Sequence, residues 1–146
     1  MNRPVFAVQA VLFDLDGTLV DSAPDLALAA ERMRAARGLP PLPLEGYRPH
    51  ASAGARGMLQ IAFDLAPEDE RYDAFKQEFL HEYTLCLLHS TACFEGVTEL
   101  VSMLEQICLP WGIVTNKAER LTEPVLAGLP TLAPAMVIVC GDTLPR

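Results

Sequence analysis

This sequence lacks paired cysteines. Its four, Cys86, Cys93, Cys108 and Cys140, show no C-x-x-C spacing, which argues against a zinc cluster and against a dithiol redox motif. A reducing compartment, the cytoplasm, is the expected location. The three histidines, His50, His81 and His89, do not stand at metal-binding spacing either. Positive charge is scarce: 11 Lys and Arg face 19 Asp and Glu, for a formal net charge of −8. Nowhere do Lys and Arg cluster, so the basic face of a nucleic-acid binder is missing and no such partner is expected. The same imbalance repels anions at long range. Any anion site must therefore be local, built from a metal ion, a lysine or a helix N-terminus. No apolar run reaches bilayer length, so no membrane partner is expected. The first such run, Val5–Phe13, follows only Met-Asn-Arg-Pro and ends in acids, which does not suit a signal-peptide cleavage site. Repeats and low-complexity tracts are absent.

What is present is an ordinary globular composition, 51% hydrophobic and 21% charged over 146 residues, enough for one core or a small core with an inserted module. Phe6–Phe13 is almost wholly apolar and stops abruptly at Asp14-Leu15-Asp16-Gly17, the pattern of a buried parallel strand running into a loop. Ser22-Ala-Pro-Asp25 offers a helix start, with Ser22 as cap and Asp25 three residues on, and the helix is expected to reach about Arg37 before Gly38. Helical spacing follows over Met58–Leu65 and Glu68–Leu88. The stripe Tyr72, Phe75, Phe79, Tyr83 and Leu87 in the latter is expected to be helix–helix core. Val97–Gln106 and Glu119–Leu126 read as helices. Trp111–Thr115 and Met136–Cys140 read as two further buried strands.

Strands alternating with helices imply a parallel, doubly wound, Rossmann-like α/β core of three layers. One connection is abnormal: a simple βαβ unit needs roughly 30 residues, and Phe13 to Trp111 is far longer. The excess is helical with apolar faces of its own. The expected division is therefore a core of residues 1–18 and 93–146 with an inserted helical cap of residues 19–92.

Ligands of open α/β sheets bind beyond the carboxyl ends of the strands. Those ends carry Asp14 and Asp16, Thr115-Asn116-Lys117, and Asp142. Two neighbouring carboxylates repel one another, and a divalent cation offsets that cost; Mg²⁺ suits them because it takes oxygen ligands and keeps waters and phosphate oxygens in its shell. Phosphoryl transfer explains the set. Asp14 is expected as nucleophile and Asp16 as acid and base, both touching the metal. Gly17 turns the backbone and offers N–H groups to a phosphate, and Thr18 orients Asp16 or the loop. Thr115 and Asn116 place a hydroxyl and an amide on the phosphoryl oxygens, or else cap the following helix. Lys117 is either a phosphate ligand or a solvated lysine. Arg56, in the Gly-rich stretch Gly54–Gly57, either holds a substrate carboxylate or lies on the surface. Asp142 is expected as a strand-end loop residue.

At Phe13-Asp14-Leu15-Asp16-Gly17-Thr18-Leu19-Val20-Asp21-Ser22 and Val114-Thr115-Asn116-Lys117 the chain resembles the haloacid dehalogenase superfamily. A D-x-D-G-T pattern arises by chance at ~10⁻⁵ per position at average residue usage. The resemblance covers essentially the whole chain and implies a Mg²⁺-dependent phosphatase of a small phosphorylated metabolite, with a cap that selects the substrate. Gly54-Ala-Arg-Gly-Met58 and Leu109–Lys117 look like the branch of phosphoglycolate and N-acetylmuramic acid 6-phosphate phosphatases, which makes 2-phosphoglycolate the first expected substrate. It also implies a further lysine, an acidic Gly-Asp motif and a fourth strand beside the first, all beyond Arg146, so an incomplete core is expected. Gly141-Asp142 follows the third strand and is not that motif. Two alternatives remain: a non-catalytic binding module of the same ancestry, and a phosphoacceptor receiver domain. The roughly 70-residue insert argues against the receiver, whose βα connections are short.

Overall fold

The computed structural model describes residues 7–143; Phe6, the first residue of the expected first strand, lies outside them. In chain order the elements are β1 (Val11–Phe13), β2 (Val20–Asp21), α1 (Ala23–Ala36), α2 (Leu44–Tyr47), α3 (Gly54–Phe63), α4 (Tyr72–Cys86), β3 (Ala92–Cys93), α5 (Val97–Gln106), β4 (Trp111–Val114), α6 (Glu119–Gly128) and β5 (Ile138–Val139). Short 3₁₀ segments lie at Arg48–Ala53 and Pro130–Leu132.

β1, β4 and β5 form a parallel sheet in the order β1-β4-β5, with Phe13 opposite Ile113 and Ile113 opposite Ile138. Helical spacing puts Val97, Val101 and Leu104 of α5 on one face, and they pack with Trp111 and Ile113 and with the fully buried Leu15. Leu126 near the end of α6 joins the same cluster. Side chains alternate across a strand, so Leu12, Val114 and Val137 point the other way, and they are 61%, 41% and 48% exposed. Among the described residues the α/β core is thus incomplete: helices cover one face of the sheet, the second face is bare, and β1 stands at an open edge.

A second cluster lies in the helical module. Leu26 and Met33 of α1, Met58 and Leu59 of α3, and Phe79 and Tyr83 of α4 are buried together with Tyr47. Arg37 spans the outside of this cluster, its guanidinium 4.5 Å from the Phe75 ring and forked onto Glu78 at 2.6 and 2.8 Å. The α4 helix begins later than its apolar spacing suggests. Asp69 takes the Arg71 N–H at 2.8 Å, and such local side-chain bonds compete with helix geometry.

The start of α1 differs from the expected capping box. Ser22 makes no capping bond and its buried hydroxyl has no partner. Asp25, wholly buried, instead accepts from Ser90 N at 2.8 Å, Thr91 N at 3.0 Å and Thr91 Oγ1 at 2.6 Å. The sequence neighbour Ser22 gave no hint of this partner 65 residues away. The clasp holds the returning chain where β3 pairs antiparallel with β2, Val20 opposite Cys93 and Asp21 opposite Ala92. Both passages between sheet and helical module run through this two-stranded neck.

Candidate active site

The loop after β1 is wound around one carbonyl. Leu15 O accepts from Thr18 N at 3.3 Å and from Leu19 N and Val20 N at 3.0 Å each, while the Leu15 side chain is fully buried. So tight a loop needs a left-handed residue, and Gly17 supplies it at φ +78°. Its N–H donates to Val20 O at 2.8 Å. That corrects the expectation that Gly17 offers its N–H to a phosphate: the loop itself uses the donor. Thr18 is exposed and does not line the cleft above the strand ends, and its side chain makes no hydrogen bond to Asp16, so it has no place on a ligand there.

The loop leaves Asp14 and Asp16 facing a cleft of about 400 Å³ between the sheet and the helical module. From the β4 end Thr115, Asn116 and Lys117 line it, and from the module side Arg56 of α3 and Tyr72, Lys76, Phe79 and Tyr83 of α4 do so. Of the eight residues expected to touch metal or substrate, six converge here, namely Asp14, Asp16, Thr115, Asn116, Lys117 and Arg56, and Asp142, expected only as loop, lines the cleft with them.

Asp14 is exposed. Its Oδ1 accepts the Leu15 N–H at 2.8 Å, which fixes the carboxylate, while Oδ2 has no hydrogen-bond partner among the described residues and is free to attack or ligate. Thr115 is buried and its hydroxyl accepts the Lys117 N–H at 3.2 Å, while its N–H pairs with Val139 O in the sheet. Asn116 is exposed. Neither residue caps α6. That task falls to Asp142, whose Oδ1 accepts Glu119 N at 2.8 Å, so a residue expected only as loop orders the helix that borders the cleft.

Lys117 is neither a free cation in the cleft nor a solvated lysine. Its Nζ lies 3.1 and 3.0 Å from the two oxygens of Asp16 and 2.9 Å from the Tyr83 hydroxyl. The side chains of Lys117 and Asp16 are only 6% and 13% exposed. A pair so dehydrated is tolerated when its geometry is good and its remaining protons are bonded, and here three acceptors meet the three ammonium hydrogens. Burial first, then the Asp16 charge, pushes the Tyr83 phenol far above its ordinary value, so it remains a neutral hydroxyl. Tyr83 was expected only as core. A phenol rather than a phenyl at the buried end of the α4 stripe was the available signal, since buried tyrosine hydroxyls find partners. Burial also raises the Tyr72 phenol, against the opposing charge of Arg56, which lines the same cleft.

Among the described residues no group of three or more His, Cys, Asp and Glu forms an all-protein metal cage. Two carboxylates beside an open cleft nevertheless suit Mg²⁺, which is commonly held by one or two carboxylates, waters and phosphate oxygens. No helix among the described residues is long and apolar enough to cross a membrane.

The model of a family described as haloacid dehalogenase-like hydrolase matches residues 8–145. An N-acetylmuramic acid 6-phosphate phosphatase of Pseudomonas aeruginosa is 40% identical over 139 residues, which are 95% of this chain and 62% of that protein. A phosphoglycolate phosphatase of Xanthomonas campestris pv. campestris is 43% identical over 136 residues, 93% of this chain and 61% of that one. The crystal structure of a predicted phosphoglycolate phosphatase from Haemophilus somnus superposes with a TM-score of 0.77 at 26% identity, covering 94% of this chain and 64% of that one. The chain thus spans about three-fifths of the length of the relatives it matches.

Proposed function

Starting from a chain that belongs to the haloacid dehalogenase-like hydrolase family, we propose that it hydrolyses a phosphomonoester of a small acid, 2-phosphoglycolate first, through an aspartyl-phosphate. The observation that carries this is the convergence of Asp14 and Asp16 with Thr115 and Asn116 on one cleft at the carboxyl ends of β1 and β4. In the first step Asp14 Oδ2 bonds to phosphorus as the bond to the substrate oxygen breaks, and Asp16 gives that oxygen its proton. In the second, Asp16 takes a proton from water, the water oxygen bonds to phosphorus, and the bond to Asp14 breaks to release phosphate. Thr115 and Asn116 hydrogen-bond the phosphoryl oxygens, where the transition state carries its charge. Asp14 and Asp16 would hold Mg²⁺, which when bound neutralises phosphoryl charge.

In this reading residues 19–92 act as a cap over a core of 1–18 and 93–146, and the cap side chains select the substrate. Arg56 and Lys76 reach the cleft from the cap side. A guanidinium there suits a carboxylate, which favours a phosphorylated acid over a neutral phosphate ester. The second substrate reading is N-acetylmuramic acid 6-phosphate, named in the Pseudomonas aeruginosa relative; its lactyl carboxylate offers Arg56 the same partner. Four free cysteines, two of them buried, support a cytoplasmic setting.

The test is phosphate release from both compounds by the purified chain, with and without Mg²⁺, beside Asp14→Asn. Turnover that needs Mg²⁺ and falls by about a thousandfold or more in Asp14→Asn is expected, since groups acting as a unit fail together. A variant that keeps its rate, or a wild-type chain that releases no phosphate, overturns the proposal.

A further inference from the structure

Lys117 joins two parts of the molecule. Asp16 lies in the loop after β1 and Lys117 in the loop after β4, both on the sheet side. Tyr83 lies in the last turn of α4, on the helical module, 34 residues before Lys117 and 67 after Asp16 by position. The ammonium is held by all three acceptors at 2.9–3.1 Å and sits 4.7 Å from the Tyr83 ring centroid. Tyr83 is itself 1% exposed and stacked on Phe79 at 6.1 Å with an interplanar angle of 12°. The hydroxyl is therefore fixed by the packing of the module, whereas the lysine stem is a flexible chain that takes its position from its partners.

We propose that Tyr83 and Lys117 latch the helical module to the sheet core and thereby fix the Asp16 carboxylate, with Lys117 a positioning residue and Tyr83 its anchor on the module. This rests on the reading of Asp16 as acid and base. With the module seated, Tyr83 holds Lys117 and Lys117 spans both oxygens of Asp16, so the carboxylate has one orientation toward the cleft. With the module lifted, the ammonium loses one partner to water and the carboxylate gains rotational freedom. Proton transfer demands close alignment, so a carboxylate held by a lysine that the module itself anchors is better placed for acid–base work than one held by a free side chain.

The latch is tested with Tyr83→Phe, Lys117→Met and the double variant in the full chain. Tyr83→Phe keeps the ring and its stacking and removes only the hydroxyl. Two substrates separate positioning from general damage: 2-phosphoglycolate, whose alkoxide leaving group needs a proton, and p-nitrophenyl phosphate, whose phenolate leaves without one. Expected is a fall in kcat/KM of about tenfold or more for the first and under about threefold for the second, within the range that general acids contribute. The double variant should be no worse than Lys117→Met. Equal falls on both substrates, or none, overturn the latch. Hydrogen exchange of the α4 amides in the ligand-free protein gives a reading independent of turnover: faster exchange in both single variants is expected, and unchanged exchange overturns the latch. If the wild type shows no phosphate release that Asp14→Asn abolishes, the hydrolase reading fails by itself and the exchange result alone decides the latch.

Discussion

Replacing Asp25 by alanine should be among the most damaging single changes in this protein, although Asp25 takes no part in the proposed chemistry. Its carboxylate is wholly buried and receives three donors from the strand-side return of the chain. Ser90 is exposed, so its N–H can turn to water when the carboxylate is gone. Thr91 is 7% exposed and cannot hydrate freely. Its N–H and hydroxyl are left as two buried donors, and each unsatisfied buried group costs about 1–3 kcal/mol. The expected loss is therefore about 2–6 kcal/mol, a large share of the roughly 5–15 kcal/mol by which domains are stable. With a urea m-value of about 1–3 kcal/mol/M, the midpoint should fall by about 1–3 M in a titration followed by far-ultraviolet circular dichroism. Asp25→Asn keeps one acceptor oxygen and should fall between wild type and Asp25→Ala. A midpoint in Asp25→Ala within about 0.3 M of wild type, at an unchanged slope, would refute the claim that this clasp holds the neck.

Three further outcomes are expected. Gly112→Ala should destabilise by about 1–3 kcal/mol, the usual cost of overpacking, because an added Cβ would meet Val137 O at 2.8 Å and Leu12 Cδ2 at 3.3 Å; thermal melting measures it, and a neutral result would mean that β5 yields more easily than the sheet pairing suggests. Arg37 holds the Glu78 carboxyl below its ordinary value, chiefly through their hydrogen bond. Because the folded value is the depressed one, the stabilisation is present above the unfolded carboxyl pKa and fades as pH falls through the folded value. Glu78→Gln should therefore flatten the acid limb of a stability–pH curve while costing under about 1 kcal/mol near neutrality, as the pair is partly exposed; an unchanged acid limb would count against it. The bare sheet face exposes Leu12, Val114 and Val137 around Gly112, and unprotected apolar faces and strand edges associate. Concentration-dependent association in sedimentation is expected for the chain alone, weakened in Leu12→Lys; a monomer at all concentrations would show that this face is not sticky.

Sequence made legible what depends on local pattern. The run ending at Phe13 and the apolar Trp111–Val114 stretch placed both strand ends that border the cleft, because parallel strands carry continuous apolar side chains, although the face of Leu12 and Val114 is exposed here rather than buried as expected. Helix α5 was readable to the residue, since Gly96 precedes a clean 3.6-residue spacing. The long insert between those strands was legible as excess length. Hidden were the features made by pairs distant in sequence. Ser22 and Asp25 looked like a capping box because the motif is local, whereas Asp25 answers to Ser90 and Thr91. Tyr83 looked like core because its ring is core; only its hydroxyl, meeting Lys117 34 residues on, belongs to the site. The Gly17 N–H was misjudged for a related reason. Glycine announces a turn, but which acceptor its N–H faces depends on how the loop closes, and here that is Val20 O.

The β2–β3 neck has an architectural consequence. The chain leaves the core at Asp21 and returns at Ala92, and those two residues are directly opposed across one antiparallel ladder, where neighbouring strands lie about 4.7–4.9 Å apart. Departure and return therefore occupy nearly the same point in space. To the sheet, everything between them is one appendage on a single stalk, and a short hairpin turn could bridge the same gap. Such a junction lets the helical module be lengthened, trimmed or exchanged without re-registering β1 against β4. The module's wall of the cleft can then be redrawn while the strand ends that carry Asp14 and Thr115 keep their spacing.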